Sequence, residues 1–142
     1  MPEAGFSKVS KGDTLLYGPR KLLLCGFSVE AQEKFKAVLT MAGLVNVPLV
    51  WAGSDEAGAR LGDLMALAGD HGSAKGSSLD RAVIMAGIKE KELHALMGMS
   101  KKAGMKNTLW AALTPTSERW TLADLLTELS AERARLEKSR SS

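Results

Sequence analysis

The sequence predicts an α+β fold: two β-α-β units forming a ferredoxin-like sandwich, with an inserted linker helix and a C-terminal helix. Three observations lead there. Short apolar runs alternate with amphipathic stretches along the chain. The helical stretch of each β-α-β unit ends at a glycine, Gly43 and Gly104. A shift of 61 residues lays Arg20–Gly53 over Arg81–Thr114 without a gap, and Arg20/Arg81, Gly26/Gly87, Ala42/Ala103, Gly43/Gly104 and Asn46/Asn107 are then identical. The competing architecture is a small parallel α/β sheet. Four strands with helices on one face fit the length better, although the long connection at 53–80 fits that plan less well.

Met1–Gly18 has no helical period and reads as a flexible arm, with Thr14–Tyr17 touching the body. Residues 19–138 then form a single domain, with units at 19–53 and 81–115, a linker at 54–80 and a terminal helix at 121–138. Lys21–Phe27 is apolar without alternation, as in a strand buried on both faces. Ser28 can cap the helix at 29–42, whose Ala31, Phe35, Val38, Leu39 and Ala42 share one face. The second strand is Val47–Ala52, and Pro48 makes it an edge strand or marks its start. In the linker, Ala57–Leu67 can be helical, and Gly69–Ser78 is a flexible loop by composition. Arg81–Ile88 is the third strand, Glu90–Ala103 the next helix and Thr108–Leu113 the fourth strand. The final helix spans Leu122–Glu137, with Leu122, Leu125, Leu126, Leu129, Arg133 and Leu136 in phase, and 139–142 should fray.

Composition bounds the function. At 142 residues the chain holds one ordinary domain. Its lone cysteine, Cys25, excludes an intrachain disulfide and argues for a reducing compartment. With only two histidines, His71 and His94, no metal site and no cofactor are expected. No apolar run approaches the ~20 residues of a membrane span. The first residues do not read as a secretory signal. The expected location is cytoplasmic, or an organelle stroma such as a plastid's if a transit sequence has been removed. Net charge is +3, and it is uneven: residues 1–80 carry 8 Lys/Arg against 9 Asp/Glu, residues 81–142 carry 11 against 7.

Catalytic constellations are hard to build from this chain. Cys25 with His94 as its base is the nearest approach to a nucleophile pair, but Cys25 lies inside a strand and should be an inert small hydrophobe. Gly69–Ser78 lacks the Walker spacing. Asp55/Glu56 and Glu90/Glu92 sit on polar faces where nothing would drive their pKa values apart. The better candidates are the cations around the third helical stretch, Lys89, Lys91, Lys101, Lys102 and Lys106, the last three of which also suit the negative end of a helix dipole. Thr116 and Trp120, in the turn before the last helix, complete the set. Thr121 can cap that helix with Asp124, and Trp120 would staple against Leu125.

Arg81–Gly87, Leu113–Thr116 and Trp120–Leu129 carry a family resemblance. An apolar strand with a glycine, a helix, a TPT…W turn and a Leu-rich helix resemble an uncharacterised bacterial family known only as a domain of unknown function, over roughly residues 81–136. Ser117 stands where that family often has Asn. The resemblance implies no reaction, cofactor or catalytic residue.

The reading that follows is a non-enzymatic protein-interaction or assembly module with a protein partner, an acidic one if the cations are its contacts. The alternative is a binder of small anionic ligands or RNA that uses the basic helix 89–106. Sheet-face RNA binding needs exposed aromatics for stacking, and the central strands offer only Phe27.

Overall fold

The computed structural model describes residues 14–44, 46–73, 75–77, 79–105 and 107–141. The elements are β1 (Lys21–Cys25), α1 (Val29–Met41), β2 (Leu49–Ala52), α2 (Leu61–Met65), β3 (Ala82–Ala86), α3 (Glu90–Lys102), β4 (Leu109–Ala112) and α4 (Leu122–Ser141), with 3₁₀ turns at Ser54–Glu56 and Ser117–Arg119. The class is α+β, as the sequence predicts, and the sheet with its helix pair is compatible with a ferredoxin-like sandwich.

The four strands run in the order β2-β1-β3-β4. β1 is parallel to β2 and β3 is parallel to β4, while the central pair β1–β3 is antiparallel. Each β-α-β unit therefore keeps its own two strands adjacent, and each contributes one edge. Every position of β3 is buried, as are four of the five in β1, so both faces of the sheet need cover. One face carries Leu22, Leu24, Trp51, Val83 and Met85 beneath α1 and α3. The other carries Leu23, Cys25, Val50, Ala82 and Ile84 beneath α2 and α4. The linker helix and terminal helix thus add a third layer, where helices on a single face were expected.

The capping signals work as chemistry. Ser28 Oγ accepts from the Ala31 amide at 3.1 Å at the start of α1. Gly43 (φ +81°) and Gly104 (φ +86°) end α1 and α3 in left-handed conformations. Leu44 N–H donates to Leu39 O and Met105 N–H to Ser100 O, the longer bond of a Schellman motif. Thr121 Oγ1 accepts from the Asp124 amide at 3.2 Å and caps α4.

Some boundaries differ. The linker helix is five residues rather than the stretch 57–67. Residues 57–61 instead bond the start of α4: Leu61 N–H donates to Trp120 O, and the Leu122 and Ala123 amides donate to Ala59 O and Ala57 O. These tertiary bonds compete with helix formation there. α4 runs on to Ser141. The loop at 69–77 is tied down as well: His71 O accepts from Trp51 N–H, Asp70 N–H donates to Leu49 O and Ser77 N–H donates to Phe27 O. Of the predicted arm, residues 1–13 lie outside the described residues; Thr14–Tyr17 contact the body through Leu16 N–H to Ile88 O and Glu90 N–H to Thr14 O.

Candidate functional site

The seven residues singled out in the sequence do not form one patch. Lys89 and Lys91 stand at the start of α3, at the end of the sheet where β3 and β4 finish. Thr116 and Trp120 are at that same end, in the turn between β4 and α4. Lys101 and Lys102 stand at the far end of α3, about 18 Å away for thirteen helical residues. Lys106 lies outside the described residues. The basic helix therefore carries two separate cationic ends.

At the first end, structure accounts for most of the polar chemistry. Glu92 Oε1 accepts from the Lys89 amide at 2.8 Å, closing the N-terminus of α3. The same carboxylate takes a two-pronged contact from Arg20, 2.8 Å on each oxygen. That guanidinium holds the Glu92 carboxyl down at about 2. Tyr17 Oη donates to Glu118 at 2.9 Å. Trp120 is only partly covered, at 37% exposure, and belongs to neither hydrophobic cluster, while its carbonyl joins the turn to α2.

The second end is different. Lys101 and Lys102 occupy the last turn of α3, where the dipole favours them, and both are exposed. Beside them lies a groove of about 610 Å³ between α3, β4 and α4, lined by Met97, Lys101, Met105, Thr108, Trp110 and Arg133 among others. The charged side chains lining it, Lys101 and Arg133, are both cations, and among the described residues neither meets a carboxylate within ion-pair distance. Ser100, 1% exposed, also borders the groove, and its Oγ has no partner among the described residues. The groove continues past Thr108, Trp110 and Arg133 into a furrow of about 170 Å³ against Leu129 and Leu136 of α4. Arg133 Nη2 reaches the Thr108 carbonyl at 3.4 Å and forms the wall between the two.

Both halves of this furrow lie along the outer edge of β4, and that edge is open. Leu109 N–H and Leu113 N–H donate to Arg81 O and Met85 O of the β3 segment, so the backbone groups of residues 109, 111 and 113 face inward. The N–H and C=O of Trp110 and Ala112 then face away from the sheet, and no described residue pairs with them. The opposite edge contrasts with this, since Leu49 O and Trp51 N–H of β2 are taken by the loop at Asp70 and His71.

Sequence reasoning passed over Trp110 and used Arg133 only as a helix-phase marker. Arg133 was nevertheless signalled, being a cation between Leu129 and Leu136 in the apolar phase of α4. Trp110 carried no such signal, because its place on the outer edge follows from the strand order and from the register of β4 on β3.

The nucleophile pair is not assembled. Cys25 is buried on the α2/α4 side of the sheet, whereas His94 is exposed on α3, which covers the other side. Burial pushes the Cys25 thiol up to about 12. Asp55 and Glu56 diverge: Asp55 pairs with Lys75 at 2.8 Å, and Glu56 accepts from the Gly53 amide at 2.7 Å. Among the described residues there is no group of three or more His, Cys, Asp or Glu side chains placed to hold a metal. No described helix is long and apolar enough to cross a membrane.

Fold and site together define an α+β domain with a mixed four-stranded sheet, one sealed edge and one open edge beside a cation-rimmed groove. Residues 81–136 match a family model described as Domain of unknown function (DUF3783). That span holds β3, α3, β4 and most of α4, the elements that frame the open edge. No curated protein and no solved structure matches the chain.

Proposed function

We propose that this protein is a non-catalytic interaction module that docks a protein partner along β4, in the furrow between α3 and α4. The observation that carries this reading is the joining of an unpaired strand edge to an apolar groove whose charged rim is wholly cationic. Exposed lysines alone would be a solvated surface, and a four-residue edge strand alone is ordinary. Here the edge backbone groups, the apolar floor of Met97, Met105 and Trp110, and the cations Lys101 and Arg133 meet in one place, with Lys102 next to Lys101 in the last turn of α3. Binding of RNA on the sheet is disfavoured because both faces of β1 and β3 lie beneath helices.

The test is recovery from native extract by the wild-type chain and by Lys101→Glu with Lys102→Glu, with and without nuclease. A protein recovered by the wild type, insensitive to nuclease and lost with the double variant is the expected result. Recovery that vanishes on nuclease treatment moves the reading to a nucleic-acid binder. Equal recovery by both proteins places the partner elsewhere on the surface.

A further inference from the structure

The geometry points to strand addition: we infer that the partner of β4 is an extended acidic segment that pairs with the Trp110 and Ala112 backbone as a fifth strand. This rests on the reading of the furrow as a protein-docking surface and specifies how it is occupied.

Four backbone groups, the N–H and C=O of Trp110 and of Ala112, face outward in one row. A row of this kind is satisfied by another extended backbone at the usual ~4.8 Å strand spacing. A helix cannot match it, because its own backbone groups are already bonded internally. Side chains of the added strand alternate between the two faces of the sheet. On the α3 face they meet the 610 Å³ groove over Trp110, large enough for a bulky apolar side chain between Met97 and Met105. On the α4 face they meet the smaller furrow beside Leu129 and Leu136. The pattern read by this surface is therefore an alternating one, with the larger apolar residue on the α3 side.

Charge sets the rest of the chemistry. Lys101 and Arg133 line the larger groove and Lys102 follows Lys101 in the last turn of α3, whereas Glu132 borders only the smaller furrow. Carboxylates on the incoming segment, near the Thr108 end of β4, would meet these cations and gain in steering and register. A basic segment would be repelled there.

The experiment uses an array of blocked peptides of about eight residues built from Glu, Lys, Val, Leu and Phe. The best binder is then compared with two twins, each N-methylated along one edge of the strand, against wild-type protein and Ala112→Pro. Ala112→Pro removes an N–H that no described residue accepts, so the fold itself loses no bond; its melting temperature is checked alongside. Strand addition expects Glu-bearing alternating peptides to bind and Lys-bearing ones not to. It expects one N-methylated twin and Ala112→Pro each to weaken binding about tenfold or more. Amide exchange at Trp110 and Ala112 should slow when the peptide is bound. If both twins bind as well as their parent, strand addition is overturned while the furrow stays a docking surface. If Lys and Glu peptides bind alike, the acidic partner is overturned. If no peptide binds and the chain instead self-associates in a way that Ala112→Pro abolishes, the occupant is a second copy of this chain and the inference is overturned. Absence of binding by the whole array overturns it also, and the recovery experiment with the lysine variants then decides separately whether the surface docks a folded partner.

Discussion

Adding one methyl group at Gly26 or Gly87 should destabilise the protein several times more than the same change at Gly43. All three residues have positive φ, +77°, +62° and +81°, so alanine at each must occupy a left-handed conformation costing roughly 1–2 kcal/mol. Surroundings then separate them. A Cβ at Gly43 would meet nothing within 4 Å. A Cβ at Gly26 would lie 2.4 Å from the carbonyl oxygens of Leu79 and Asp80, and at Gly87 2.4 Å from Arg20 N and Pro19 C. Those are backbone atoms of the chain entering the neighbouring central strand, and they move only by disturbing the β1–β3 pair. Such overpacking adds about 1–3 kcal/mol. The expected losses are therefore about 1 kcal/mol for Gly43→Ala and about 3 kcal/mol for Gly26→Ala and Gly87→Ala. Equilibrium urea denaturation measures each, with an unchanged slope showing that the unfolding reaction is the same. Equal losses at all three positions would refute the claim that Gly26 and Gly87 exist to admit the crossing chain.

Other predictions concern charge, burial and the proposed surface. Glu92 is held at about 2 in the folded chain by Arg20, below its unfolded value near 4.5, so its contribution is fully present above that unfolded value and is lost as pH falls toward 2. Glu92→Gln should remove this acid-side slope and cost about 1–2 kcal/mol at neutral pH, allowing for solvent screening of the half-exposed Arg20, as acid titration of the two proteins will show. With its thiol pushed up to about 12, Cys25 should react with a thiol reagent at mildly alkaline pH only as fast as the chain unfolds, and rapid native labelling would contradict the burial. Lys101→Glu with Lys102→Glu should leave the melting temperature nearly unchanged, because exposed charges contribute roughly 0–1 kcal/mol. The same double change should weaken partner binding and flatten its dependence on salt, read by titration at two ionic strengths.

Much of the fold was legible because it rests on local chemistry. Runs such as Leu22–Leu24 and Ala82–Ala86 report strands buried on both faces, and Gly43 and Gly104 mark helix ends by a backbone conformation that other residues adopt only at a cost. The shortened linker helix was not legible, because tertiary bonds from α4 to Ala57 and Ala59 decide it. The same applies to the loop at 69–77, whose Gly and Ser content suggests freedom while its backbone seals the β2 edge. The candidate site was half legible. Lys101 and Lys102 were visible as cations, and the helix length alone separates them from Lys89 and Lys91, but the groove beside Lys101 is set by the packing of β4 and α4 against α3. Trp110 and Arg133 enter the site only through the register of β4 on β3 and the return path of α4.

The central claim, that β4 and its flanking helices are the docking surface, is tested most directly by chemical-shift mapping. An isotope-labelled chain is titrated with its recovered partner, or with an acidic alternating peptide, at low and at physiological salt. The account predicts shifts at Met97–Trp110 and Leu129–Leu136, largest at Trp110 and Ala112, and smaller as salt rises. Shifts centred instead on His71 and Lys75, or on the Thr114–Trp120 turn, with β4 unmoved, would contradict it.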